Sequence, residues 1–353
     1  MKPVLKLAGT WLLAAFVFNS AAAEPPSGAV ILQYHHVSES TPPATSISPA
    51  LFVEHIDHLA AAGFEVLPLP RITNALLTNT PLPDKAVAIT FDDAYVNIYE
   101  TAWEELRRRD MPFTIFVATE LVGSNDAIYM RWDQLREMAA TGVHLANHTK
   151  THAHLLRRDE GESEAAWLER VGDEITGAEA ALDREIGGTR GKHLAYPYGE
   201  FDEAILSLVE QLGYVAYGQH SGAAGATSDA RALPRFPLGG IYTGLASFRT
   251  KAASLPMPVA TPMIDPTRHD GRPVLSFSLA GDNLRVGELA CYGPGGQLPV
   301  EVEGNVVTVR PLKALPVGRS RYNCTMPSSQ GGRFYWYSQL WIQRHEDGRW
   351  YAE

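Results

Sequence analysis

"AVAITFDDAY", residues 86–95, runs from the apolar stretch Ala86 to Ile89 into two adjacent carboxylates, Asp92 and Asp93. A short, β-branched, uninterrupted apolar run reads as a strand buried in a sheet interior rather than one half-exposed at a surface. Working outward, AVILQY (29–34), FEVLPL (64–69), FTIFVA (113–118), VHLAN (143–147), HLAYP (193–197) and YVAYG (214–218) have the same character, each bounded by turn or cap residues. Helical patterns lie between them. Phe52, Ile56 and Leu59 share a face, as do Trp132, Leu135 and Met138, and 163–184 is a longer candidate. Strands and helices alternating in this way predict an α/β fold, a parallel sheet closed or nearly closed into a distorted (β/α) barrel.

In such a barrel the chemistry lies where the strands end. The residues just beyond the apolar runs are His35 and His36, Asp92 and Asp93, His148 and His152, and Tyr198. Separate strands would deliver all of them to one rim. Beyond the barrel region, 24–253, the stretch 254–273 is rich in proline and has no period, so it reads as a linker. From 274 to 353 the pattern changes to alternation, as at Leu275, Phe277 and Leu279, with turn signals at Gly304-Asn305 and Asp347-Gly348. This predicts a small all-β domain of sandwich type.

The first residues, 1–23, place Lys2 and Lys6 before an apolar run from Leu7 to Phe18 and then small alanines, the order of a secretory signal peptide cleaved before Glu24. The run is shorter than the roughly twenty residues that span a bilayer, so a permanent membrane anchor is not expected. The chain is then exported, to the periplasm or the medium. A net charge of −10 argues against nucleic acid or an anionic membrane surface as partner. The two cysteines, Cys291 and Cys324, both lie in the C-terminal quarter, and in an exported protein such a pair reads as a disulfide rather than a metal site.

Of the 12 histidines, His144, His148, His152 and His154 crowd into one short stretch. The spacing of His148 and His152 lets both rings face one point, as metal ligands do, although surface or core histidines also adopt it. Asp92 and Asp93 would repel one another at a buried strand end unless a cation or hydrogen bonds held them. One Asp and two His make a zinc-type ligand set; the alternative is a solvated acidic cap on a following helix.

Together, Thr90-Phe91-Asp92-Asp93, His148-Thr149-Lys150-Thr151-His152 and Ala195-Tyr196-Pro197-Tyr198 resemble the three successive motifs of the polysaccharide deacetylase family, the NodB-like carbohydrate esterases. The resemblance covers roughly residues 29–250. It implies that Asp93, His148 and His152 bind a divalent metal, most simply Zn2+, with Ni2+, Co2+ or Mn2+ able to use the same donors. It also implies that Asp92 is the general base and that a backbone N–H near Tyr198 stabilises the oxyanion. The Tyr-His element upstream, Tyr34-His35, resembles the exported subgroup that deacetylates poly-N-acetylglucosamine.

Two positions depart from the family. The third motif usually begins with Arg, here Ala195, and Arg235 in LPRF is the candidate replacement, a solvent-exposed loop arginine being the alternative. The late Leu-x-x-His motif, whose histidine protonates the leaving amine, is not evident. His35 is the preferred general acid, because it follows a barrel strand and an imidazole titrates near neutrality; His220 is the alternative. His36 is expected to point away from His35, His144 to be packed or solvent-facing, and His154 to line the mouth. The aromatics Tyr335, Trp336, Tyr337 and Trp341 are either a sugar-stacking platform or ordinary core and cross-strand pairs.

The expected function is metal-dependent removal of N-acetyl groups from an amino-sugar polysaccharide. Chitin-like oligomers, peptidoglycan glycan and O-acetyl esters are alternative substrates. A catalytically silent carbohydrate-binding or assembly protein and a small-molecule amidase are the competing classes.

Overall fold

In a computed structural model of the protein, residues 28–124, 126–188, 190–261, 263–267, 269–329 and 331–352 are described. The expected signal peptide, 1–23, lies outside the described residues. Parallel strands β1 (Gly28–Tyr34), β2 (Ala86–Phe91), β3 (Phe113–Val117), β4 (His144–Asn147), β5 (His193–Ala195) and β6 (Val215–Tyr217) follow one another across a curled sheet. β7 (Ala223–Gly225) runs antiparallel against the first half of β1, and β8 (Phe236–Pro237) runs parallel against its second half. Leu233, just before β8, bridges Tyr217 of β6. The segment 233–237 therefore spans the seam between β6 and β1 and completes a distorted barrel.

The helices that cover the sheet follow the sequence periodicity. In α1 (Pro49–Ala61) the Ser48 side chain accepts from the Leu51 N–H, and Phe52, Ile56 and Leu59 are buried. The expected strand at 64–69 contracts to Glu65–Val66, paired with the start of β2, because Pro68 and Pro70 withdraw donors and open α2 (Leu69–Leu77) instead. After α3 (Trp103–Arg107) and α4 (Trp132–Ala140) comes the long α5 (Glu164–Glu185), which buries Trp167, Val171, Ile175, Ala178 and Leu182 along one face. α6 (Glu203–Gln211) and α7 (Leu245–Ala252) complete the set used below.

One core cluster draws on alternate strand residues, many of them small: Ala29, Ile31, Ala88, Phe116, Ala146, Ala195, Tyr217, Ala224 and Leu233. The same period-two alternation carries Gln33 and Thr90 in line with Ile31 and Ala88, one layer nearer the strand ends. At the opposite end, Thr114 pairs with His144 and His193 with the Tyr217 hydroxyl.

The C-terminal part is a β lobe. A sheet of β9 (Leu255–Pro256), β11 (Ala290–Gly293), β12 (Gly296–Leu298), β15 (Gly318–Pro327) and β16 (Phe334–Gln343) faces a second sheet of β10 (Leu275–Ser278), β13 (Val300–Glu303) and β14 (Val306–Val309). Between them lie Leu275, Phe277, Val307, Val309, Tyr322 and Trp341. Cys291 and Cys324, directly opposite one another on β11 and β15, form a disulfide.

The proline-rich stretch 254–273 is not a free span. Its β9 pairs with β16, Met257 and Val259 enter the β-lobe core, and the Pro266 carbonyl accepts from the Ile342 N–H. Proline lacks only the N–H, so its carbonyl still joins neighbouring strands. The aromatic run separates by strand alternation: Tyr335, Tyr337 and Trp341 pack with the β-lobe core, whereas Trp336 meets Phe236 of the barrel edge-on at 5.1 Å. Leu340 and Ile342 likewise join a cluster with barrel residues, so the β15–β16 hairpin has one face in each lobe.

Candidate active site

The loops at the C-terminal ends of the strands are held in left-handed backbone conformations at residues that are not glycine. Asp93 (φ 71°), Ala94 (57°), Thr149 (67°), His152 (59°) and Tyr198 (59°) all fall in this sparsely used region. Such conformations persist only where surrounding contacts enforce them, and they concentrate at functional sites. Asp93 is therefore not a helix cap; its turn re-aims the side chain into the barrel mouth.

Asp93, His148 and His152 come together there, their ligand-capable atoms within 4.8 Å of one another. Nε2 of His148 lies 3.3 Å and Nε2 of His152 3.2 Å from Oδ1 of Asp93. Buried Oδ1 of Asp93 and Nε2 of His148 have no hydrogen-bond partner, which is costly unless a cation meets them. Nδ1 of His148 donates to the Ala195 carbonyl at 2.8 Å, leaving the Nε2 lone pair pointed at the cluster. Oxygen and imidazole donors converging in this way fit a divalent transition metal.

Burial opposes charge on both imidazoles and lowers His152 to about 4, whereas the neighbouring Asp93 and Asp92 carboxylates lift His148 above its ordinary value. Burial also works against the Asp93 carboxylate, but the adjacent His148 and His152 imidazoles hold it well below the usual range.

Asp92, fully buried, faces a different set of partners. Arg235 donates through Nη1 to Oδ1 (2.7 Å) and through Nη2 to Oδ2 (2.8 Å), a two-pronged ion pair. Nε2 of Gln33 adds a bond to Oδ2 at 2.6 Å. The guanidinium is fixed in turn by the Gly218 carbonyl (2.9 Å) and lies over the Phe116 ring at 5.2 Å. Burial would raise the Asp92 carboxyl; the Arg235 charge and hydrogen bonds hold it below its ordinary value. Arg235 is fully buried on the seam segment, not exposed on a loop. Its guanidinium enters the barrel from the seam, while Ala195 adds only a methyl to the interior.

His35 follows β1, partly exposed, and its charge bears on Asp92, Asp93, His36 and His152. His220 is buried against Phe201, and burial lowers it to about 3, a poor value for a proton donor near neutrality. His36 packs on Tyr95 with ring centroids 3.6 Å apart and its Nδ1 bonds Asn97 at 2.9 Å. His144, at the opposite end of β4, bonds Thr114 and the Arg190 carbonyl. His154 lies flat on Tyr198 at 3.8 Å, with Nδ1 bonding Glu200 at 2.9 Å, and Tyr198 also touches His152.

Sequence reasoning missed Gln33, Glu200 and Tyr95. Gln33 is signalled by its polarity at an interior-facing position of an apolar strand. Glu200, fully buried, bonds His154, Arg319 and Tyr351, partners too distant in the chain to be read from their spacing. Tyr95 lies near Asp93, and burial together with that carboxylate raises its phenol far above the usual range.

The polysaccharide deacetylase family model matches residues 79–217. The putative polysaccharide deacetylase YxkH of Bacillus subtilis (strain 168) is 28% identical over 194 residues, covering 54% of this chain and 64% of that protein. The poly-β-1,6-N-acetyl-D-glucosamine N-deacetylase of Escherichia coli (strain K12) is 24% identical over 247 residues, 60% of this chain and 36% of that one. The chain thus spans less than two thirds of the length of either relative. The fold is similar to that of the Streptococcus pyogenes deacetylase PplD solved with acetate, with a TM-score of 0.57 and 23% identity over 64% of this chain and 99% of that one.

Proposed function

We propose, from the match of residues 79–217 to the polysaccharide deacetylase family model, that the chain is a divalent-metal-dependent hydrolase that removes N-acetyl groups from an amino-sugar polysaccharide of the poly-N-acetylglucosamine type. The observation that carries this reading is the adjacency of two buried carboxylates with opposite surroundings: Asp93 among histidines with an unsatisfied oxygen, Asp92 locked to an arginine. Asp93, His148 and His152 would hold the metal, with zinc the natural occupant of this donor set. A metal bound there supplies Lewis acidity, polarising the acetyl carbonyl and easing deprotonation of the attacking water.

The chain's own groups do the rest. Asp92 accepts the proton of the attacking water; a carboxylate has about four lone-pair sites, and Gln33 and Arg235 leave room for one more donor. Arg235 keeps that carboxylate ionised and correctly turned. His35 gives a proton to the leaving nitrogen, and the backbone N–H at Tyr198 meets the developing oxyanion. The leader-like sequence at 1–23 supports export, where such polymers are met. Among the described residues no helix is long and apolar enough to cross a membrane.

The test is acetate release from poly-N-acetylglucosamine and chitin oligomers by wild type, Asp92→Asn and chelator-treated protein. Release should stop in both controls, with Asp92→Asn still binding metal stoichiometrically. No release from any glycan by metal-loaded wild type would overturn the reading in favour of a silent binding protein.

A further inference from the structure

Away from the catalytic rim, a cleft of about 490 Å³ opens where α7 and the end of β8 face the β15–β16 hairpin. Its walls include Lys251, Arg321, Tyr242, Tyr292, Phe334 and Trp336, and no carboxylate among the described residues. Lys251 is buried and its Nζ donates to the Tyr242 carbonyl at 2.8 Å. Arg321 donates Nη1 to the Gln219 carbonyl at 2.6 Å. Among the described residues neither cation has an acidic partner, although the protein as a whole carries a net charge of −10.

Burial and the charge of Arg321 lower Lys251 to about 8, and burial also lowers Arg321. Two like charges kept in cover without a counter-ion oppose folding unless an anion completes them. The aromatic walls supply what a simple anion site lacks, flat faces suited to the apolar side of a pyranose ring. Position connects the cleft to the rim. Alternate residues of β15, Arg319, Arg321, Asn323 and Thr325, share one face. Arg319 stands over Tyr198 at 5.3 Å, while the other three line the cleft, so the row runs from the rim for about 20 Å, at the usual strand rise.

We propose that this cleft is a subsite for an acidic saccharide, a pyranose carboxylate held by Lys251 and Arg321 between the aromatic faces while the same chain extends to the catalytic rim. It rests on the reading of the protein as a glycan deacetylase and narrows its substrate class to polymers that mix N-acetylated and uronate sugars. A deacetylated amino sugar carries an ammonium group, so the same pair repels product.

Metal-loaded full-length mature protein is titrated calorimetrically with hyaluronan hexasaccharide, which alternates N-acetylglucosamine and glucuronate, and with its carboxyl methyl ester. The acid should bind about tenfold or more tightly than the ester. Lys251→Gln and Arg321→Gln should each erase that preference and leave ester binding unchanged. Equal binding of acid and ester by wild type overturns the proposal, as does a preference that survives in both variants; the wild-type comparison decides even if a variant misfolds. Acetate release from poly-N-acetylglucosamine oligomers and from the hyaluronan hexasaccharide is measured on the same samples. Release without acid preference overturns the subsite alone, and acid preference without release overturns the deacetylase reading alone.

Discussion

Arg235 and Asp92 meet across 143 residues of sequence, both fully buried, with each guanidinium Nη on its own carboxylate oxygen. Breaking such a pair strands a charge, at a cost of about 3–5 kcal/mol. Arg235→Met is therefore expected to lower the unfolding free energy measured in urea by that amount and to abolish turnover. Asp92→Asn should also abolish turnover and cost a comparable stability, because it leaves the Arg235 guanidinium buried without a counter-charge. Arg235→Lys restores the charge but not the fork, so it should recover stability more than kcat. Gln33→Leu removes only one of the three bonds to Asp92, and kcat should fall less than for either charge variant. The residue types at the rim were legible because each follows an apolar strand. The Arg235–Asp92 pairing was not, since nothing local in LPRF distinguishes a buried arginine from a solvated one.

The loop that carries His148 and His152 is anchored by α5. Glu174 accepts from the N–H groups of Lys150 (3.1 Å) and Thr151 (3.0 Å) and from the Thr151 hydroxyl (3.0 Å). Asn147, at the end of β4, accepts from the Thr149 N–H at 2.8 Å and donates to the Ile175 carbonyl at 2.8 Å. A helix face otherwise given to packing thus fixes the left-handed turns at Thr149 and His152. Glu174→Ala should loosen that loop without unfolding α5, lowering metal affinity about tenfold or more, as loss of a supporting partner does. Competition with a chromophoric chelator measures it, and circular dichroism should be unchanged. The elements themselves were largely readable. β1, β2 and β3 are apolar runs of ordinary strand length, and α5 shows its buried face in sequence. FEVLPL misled because its apolar content is that of a strand while Pro68 within it and Pro70 just after it mark a helix start.

Glu200 joins the lobes: fully buried, it bonds His154 of the histidine loop, Arg319 of β15 at 3.0 Å and Tyr351 near the C-terminus. Burial alone would raise its carboxyl, but the hydrogen bonds of His154 and Tyr351 and the charge of Arg319 hold it below its ordinary value. The native state then binds this proton less readily than the unfolded chain. Its stabilisation is complete above the ordinary glutamate pKa and is lost as the pH falls through the native value. The Tm difference between wild type and Glu200→Gln should stay level down to about pH 5 and shrink below about pH 4. In the β lobe, Cys291–Cys324 closes a loop across 33 residues of sequence, and replacing both with alanine should cost about 2–4 kcal/mol in that lobe's urea unfolding. The β alternation from 274 onward was legible, but the two-sided role of the β15–β16 hairpin was not, because alternation shows that two faces differ without showing what covers each.

The seam at 233–237 gives the barrel a direction in time. A chain made N-terminus first presents Asp92, Asp93, His148 and His152 long before Arg235 arrives, and long-range closures of this kind come late in folding. Until the last barrel segment docks, Asp92 is an unpaired carboxylate that gains by staying in water. An intact Arg235–Asp92 pair is thus a report that the whole barrel has closed, and a fragment ending before Arg235 lacks the counter-charge that keeps Asp92 ionised inside the mouth.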